Sequence, residues 1–482
     1  MFTNHTQRRN ASIFVTFAAM LIAAVPFAVA QKGDVTLTGS KEAVALYWQG
    51  QLKAENQDDP GTFFDQAIQK DPNFAFGYLF AGQTNLDFQR NLQKAVSLAD
   101  KASPGEREWI MAVDAANRGD QAAALTHWQN LAKLFPGDKR VQSQIGFWYR
   151  GSGDEATARK YFDAAAKIDS KWAPAYNNLG YSNVALGRWA DAEKAFKTYI
   201  SLIPNNPNPY DSYAEMLMNS GKFDESIKQY SMAISKDKTF YNSYRGIGDN
   251  YVYKGDFEKA HAQFKSMYDA SAGNPAFHDL ALVSMLDAFL SQGKFADALK
   301  VNDMRTAEFQ KQNDPQSVFF SHMFAAFLAT EGGDADAAAR HLNDAADVMK
   351  DPSLPAALDA NRKFNFTAGK VRLAIQKGDA AAAKGDLDWL ATAAHNPNQQ
   401  WTAYQLWGYS ELKQGHYAKA TEYLAKANQQ DPLTWYYQAW ALEAAGDKAA
   451  ATKLYHKIAD WDQLDTPNYA IARTRAIAKL GK

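Results

Sequence analysis

A spacing of 34 residues links Gly146, Gly180, Ala214 and Gly248, with Ala112 one step upstream. The same step joins Gly119, Gly153, Gly187, Gly221 and Gly255, then Ala124, Ala158, Ala192, Ser226 and Ala260, then Trp128, Phe162, Phe196, Tyr230 and Phe264. Five units of 34 residues follow without a gap: 105–138, 139–172, 173–206, 207–240 and 241–274. Small residues such as Gly180 and Ala192 mark a close crossing of two antiparallel helices, and Tyr176 and Phe196 fill the space beside it. Gly187 ends the first helix, where a left-handed residue costs glycine little. Pro136 and Pro204 close the second, because proline cannot continue a helix. Each unit is then a helical hairpin that buries its apolar face only against its neighbours.

Residues 176–204, YNNLGYSNVALGRWADAEKAFKTYISLIP, resemble the tetratricopeptide repeat, with aromatic, Leu-Gly, Ala, Phe and Pro at that family's spacing. The pattern extends outward with less regularity. Units 41–74 (Phe64, Ala67, Pro72, with Pro60 in place of the usual small residue) and a shortened 75–104 precede the clear block. Gly293 and Ala298, Gly333 and Ala338, Gly378 and Ala383, and a clean unit at 401–434 follow it. The resemblance implies an all-α, right-handed superhelix (an α-solenoid) of about ten or eleven antiparallel hairpins with a C-terminal capping helix. Extra residues at 272–282 and 350–365 interrupt the period, so the expected division is an N-terminal array, 41–274, and a C-terminal array, 275–482.

The first thirty residues differ. Arg8 and Arg9 precede an apolar run from Ala11 to Val25, then Pro26 and the small-x-small triplet Ala28-Val29-Ala30. This reads as a signal peptide over 1–30 cleaved after Ala30, with 31–40 as a short linker; an uncleaved anchor is the alternative. The chain has no cysteine, which removes disulfides, thiol catalysis, Cys-ligated metals and a lipoprotein anchor, and suits a periplasmic or secreted protein.

Catalytic and cofactor motifs do not emerge. Gly151-Ser152-Gly153-Asp154-Glu155-Ala156 imitates a dinucleotide fingerprint but sits in a helix–helix turn without the required strand. EGGDADAAAR, residues 331–340, begins like a calcium loop and lacks the later ligands. The nine histidines, His5, His127, His261, His278, His322, His341, His395, His416 and His456, form no i,i+4 metal pair, so no metal and no cofactor are expected. Net charge is −1 with no Lys/Arg cluster, which points away from nucleic acid.

The resemblance implies that the first helix of each hairpin lines a concave groove. Helical periodicity then selects Trp109 and Val113, Ser143 and Phe147, Asn177, Asn178 and Tyr181, Asp211 and Glu215, and Arg245 and Asp249. Such a stripe suits an extended peptide or amphipathic helix, neutral or basic because of Asp211, Glu215 and Asp249. The resulting expectation is an exported, non-catalytic scaffold for protein or peptide partners, without a membrane span once the signal is removed. The alternative is a glycan-binding module using the groove aromatics.

Overall fold

The computed structural model describes residues 33–82, 84–460 and 466–481. Residues 1–30, read as a signal peptide, lie outside the described residues. Among those described, the regular elements are 24 α-helices and three short 3-10 stretches. Within each of two units, consecutive helices pack as hairpins and neighbouring hairpins stack.

The hairpin α8 (Ala173–Ala185) and α9 (Trp189–Leu202) shows why the period exists. Gly187, between them, has φ +68°, and a Cβ built on Gly180 would stand 2.5 Å from the Phe196 ring. Phe196 is fully buried, so the crossing is held by an aromatic pressed against bare backbone. Gly146 receives Phe162 in the same way between α6 (Lys139–Gly151) and α7 (Glu155–Ile168). Asp120, Asp154 and Asp256 each accept a backbone N–H at the start of a second helix, satisfying donors that the helix leaves open.

The chain divides into two compact units, one ending at Phe240 and one beginning at Tyr241. The point between 274 and 275, where the two arrays are expected to divide, lies within the second unit. There the extra residues form a tight turn: Asn274 Oδ1 accepts the Phe277 N–H, and α14 (Pro275–Leu290) packs directly on α13 (Phe257–Ala270). The insertion at 350–365 is pinned by Arg362, 2% exposed, which donates to Gln316 Oε1 at 2.6 Å and to the Pro355 carbonyl at 2.9 Å.

In the first unit, α1 (Lys41–Glu55) pairs with α2 (Phe63–Lys70), and Pro60 falls in the loop between them. The shortened repeat has only a 3-10 stretch, Ala75–Leu79, before α3 (Asn85–Leu98). Residues 33–40, expected as a linker, form a strap across the later helices. The Val35 N–H donates to Asp138 at 2.9 Å, the Thr38 N–H to Glu106 at 3.0 Å, and Ser103 Oγ to the Thr36 carbonyl at 2.6 Å. The strap holds because these carboxylates accept N–H groups that no strand partner serves.

The second unit continues through α15 (Phe295–Lys311), α16 (Pro315–Gly332), α17 (Ala335–Val348), α18 (Asp359–Gln376), α19 (Ala380–Ala393), α20 (Pro397–Lys413), α21 (Tyr417–Leu424), α22 (Pro432–Ala444) and α23 (Lys448–Ala459). Its core joins Leu282, Leu286 and Leu290 of α14 to Val371, Leu406, Leu433 and Tyr437 of later first helices. Ala470 and Ile471 of the last helix, α24 (Pro467–Lys479), belong to the same core. The expected capping helix therefore covers α23 and also turns back onto α14.

Candidate functional site

In the first unit the candidate residues sort by depth. Trp109, on α4 (Pro104–Asn117), is 6% exposed and meets Phe76 and Trp128 edge-on, at 5.2 and 5.7 Å between ring centroids. It is core, and Val113 packs against the same cluster. Trp109 therefore leaves the proposed stripe, and Val113 stays half-buried beside it. The physical reason is the shortened repeat beside them: its 3-10 stretch supplies Phe76 where a full helix would have stood, and Trp109 fills the space.

The remaining stripe runs over α6, α8 and α10 (Asn208–Asn219) and bonds from one repeat to the next. Asn178 Nδ2 donates to the buried Ser143 Oγ at 3.3 Å, and Tyr181 Oη donates to Glu215 Oε2 at 3.0 Å. Beneath them Arg150, 5% exposed, donates to the Asn178 carbonyl (3.1 Å) and to Ser182 Oγ (2.9 Å), and pairs with Glu155 at 3.1 Å. Its guanidinium lies 4.7 Å from the Phe162 centroid and 5.8 Å from that of Phe147. Burial, with the Glu215 charge added, holds the Tyr181 hydroxyl well above its ordinary range, so it acts as a donor.

One ring on this face is open to solvent, and one buried oxygen is left unsatisfied. Phe147 is 40% exposed, its edge against Phe162 at 5.3 Å. Asn177 Oδ1 is buried without a hydrogen-bond partner. Asp211 is half-buried on the same row. Arg245 and Asp249 belong to the second unit, on α12 (Tyr241–Tyr253), where they face each other at 3.7 Å and Asp249 is 6% exposed.

The matching face of the second unit is differently occupied. Glu331 at the end of α16, its side chain 3% exposed, accepts from Arg372 of α18 (3.0 Å), Arg475 of α24 (2.7 Å) and Tyr437 of α22 (3.1 Å). Tyr409 of α20 stacks on Tyr437 at 4.7 Å. Burial and the Glu331 charge push Tyr409 up to about 12. Burial opposes the Arg372 charge, but Tyr437 and Glu331 outweigh it and hold the guanidinium protonated. Thr474 of α24 also donates to the Ser291 carbonyl at 3.1 Å, just past the end of α14. The chain's own last helix thus covers part of that face.

With this geometry in place, the comparison with known families is direct: the tetratricopeptide repeat model matches residues 173–206, the hairpin α8–α9. Residues 173–206 thus match a tetratricopeptide repeat. Curated relatives include the human cell division cycle protein 16 homolog, 27% identical, with 38% of this chain and 38% of that protein covered. Another is anaphase-promoting complex subunit 6 of Arabidopsis thaliana, 24% identical, with 38% of this chain and 35% of that protein covered. This chain thus matches well under half the length of these relatives. Among solved structures, a tetratricopeptide repeat protein from Parabacteroides merdae covers 63% of this chain at 14% identity, with a TM-score of 0.34.

Within the helical array, the sequence reading missed contacts made across a hairpin. Glu108 meets His127 at 2.8 Å and His322 meets His341 at 3.4 Å, each pair separated by 19 residues. Screening each first-helix position against the residue nineteen further on would have found both. The Glu331–Arg475 contact spans 144 residues and has no such local signal.

Proposed function

We propose that this tetratricopeptide chain is an exported, non-catalytic scaffold that holds a neutral or basic peptide segment of a protein partner on the first helices of its first unit. One observation carries the reading. Phe147, 40% exposed, stands in register with Tyr181 and Glu215 one and two repeats on, in a stripe where the buried Asn177 Oδ1 has no hydrogen-bond partner. An extended segment needs an aromatic anchor, and an Asn177 side chain turned outward would accept its backbone N–H. The Asp211 and Glu215 carboxylates favour a cationic or neutral occupant over an acidic one. Scaffolding accords with the relatives, one of which is named as a subunit of a complex. Export rests on the Arg8–Ala30 pattern. The glycan alternative is weakened, because Trp109 lies in the core and offers no stacking face.

The test is selection of peptides on the full chain, followed by fluorescence anisotropy of the best binder. Phe147→Ala is expected to weaken it at least about tenfold, and Glu215→Lys to weaken basic peptides most. Phe147 is exposed enough that its removal leaves the fold intact. Selected peptides that bind Phe147→Ala and Asn177→Ala as well as the unaltered chain would sink the proposal.

A further inference from the structure

The second unit holds a cluster that its groove does not use. His322 projects from α16 and His341 from α17, with their Nδ1 atoms 3.4 Å apart and the side chains only 14% and 16% exposed. Asp344, one turn beyond His341, places Oδ2 at 3.8 Å from His322 Nδ1 and 4.0 Å from His341 Nδ1. Two ring nitrogens and a carboxylate oxygen therefore point at one another at the lip of a hairpin.

As a purely protein contact this arrangement is poor. At 3.4 Å the two nitrogens exceed a normal N–H···N bond, and if both carry protons they repel. The spacing fits a shared cation better. Zn–N bonds of about 2.0–2.1 Å at a tetrahedral angle put two ligating nitrogens about 3.3 Å apart. The carboxylate must close by roughly half an ångström to reach such an ion. Asp344 can do so, because its side chain is 54% exposed and free to change rotamer. Asp303 of α15 adds negative potential at His322, which favours a cation there.

We propose that His322, His341 and Asp344 form a three-ligand site for a divalent transition metal of the zinc type, its fourth position open to water. Two imidazoles and a carboxylate suit zinc, nickel or copper rather than magnesium or calcium, which prefer all-oxygen sets. Because the ligands come from both helices of one hairpin, metal would clamp α16 to α17. No cysteine anywhere in the chain competes for it.

The experiment uses the full chain, stripped with chelator, and titrates Zn²⁺ by calorimetry and Co²⁺ by visible absorption. One Zn²⁺ per chain, a tetrahedral Co²⁺ spectrum and a raised melting temperature are expected. His322→Gln and His341→Gln, similar in volume, are each expected to weaken binding more than about a hundredfold, and Asp344→Asn about tenfold. The melting shift should vanish with binding. Asp344→Asn alters an exposed group, so it decides the matter even if a histidine variant fails to fold. No uptake by the unaltered chain overturns the proposal. So does a Co²⁺ spectrum that survives His322→Gln/His341→Gln, or an Asp344→Asn variant that binds as tightly as the original.

Discussion

Both units tie one terminal helix back onto their own array, but at different places. In the first, the end of α1 fastens the starts of later first helices: Glu55 accepts from Arg140 Nη2 at 3.2 Å and Trp172 Nε1 at 2.9 Å, and Asn206 donates to the Asn56 carbonyl at 2.7 Å. These contacts rim the array and leave Phe147 exposed. In the second, α24 contributes Ile471 to the core and Arg475 to Glu331, on the face itself. A solenoid's open face is costly to leave apolar, and the two units answer it differently. One keeps a polar ladder, Ser143–Asn178 and Tyr181–Glu215, and the other is covered by its own chain. The contrast supports the proposed peptide binding by the first unit and sets it against self-closure in the second.

Removing the keystone of each closure gives the largest expected effect. Glu331→Ala leaves Arg372 buried without its carboxylate and should destabilise the second unit by about 3–5 kcal/mol. Glu55→Ala should cost the first unit less, about 1–3 kcal/mol, because Arg140 retains Asp34 at 3.4 Å. Urea unfolding followed by hydrogen exchange reports each unit separately, which is necessary because two units need not melt as one. Equal losses would break the comparison, since they would make the rim tie as strong as the buried cluster.

A smaller effect compares the hairpin crossings. A Cβ on Gly180 meets the Phe196 ring at 2.5 Å, and one on Gly408 meets Leu424 Cγ at 2.5 Å. Both alanine variants should lose about 1–3 kcal/mol, with Gly180→Ala the worse. Both partners are fully buried, so shape decides: a rigid phenyl ring cannot fold aside, whereas a leucine can move its methyls to another rotamer. Denaturation midpoints of the two variants check this, and a larger loss at Gly408 would contradict it.

The crossings were legible in the sequence for the reason that makes them fragile. Gly180 and Phe196 must be small and large at a fixed offset, so the alternation survives as a 34-residue period. Groove positions carry no such constraint. Trp109 sits at a groove position in register yet is core, because the neighbouring repeat lacks a full first helix and Phe76 reaches in to meet it. The strap at 33–40 was invisible because its contacts, such as Val35 to Asp138, are backbone to side chain across 103 residues. The return of α24 depends on accumulated rotation from repeat to repeat, which no single repeat encodes. His322 and His341 lay between these extremes: their nineteen-residue offset recurs at Glu108 and His127, yet the familiar metal spacings along one helix pass over it.

The smallest effect separates the units by pH. His261 of α13 packs on Phe289 of α14 at 3.9 Å between centroids, and its Nε2 accepts from Gln292 Nε2 at 3.0 Å. Burial and the nearby Lys294 charge hold its pKa below the ordinary histidine value, against a weaker opposing pull from Asp297. The unfolded chain therefore takes the proton more readily than the folded one. This stability is present above pH about 6.5, the unfolded value, and is lost as pH falls through the folded pKa. The second unit's urea midpoint should thus fall on acidification more steeply in the unaltered chain than in His261→Gln. The difference is small because the ring is only half-buried and a protonated His261 can still turn toward Asp297. Parallel midpoint curves for the two proteins would show that Gln292 and Phe289 hold the ring equally well in both charge states, and that acid loosens the second unit, if at all, through some other group.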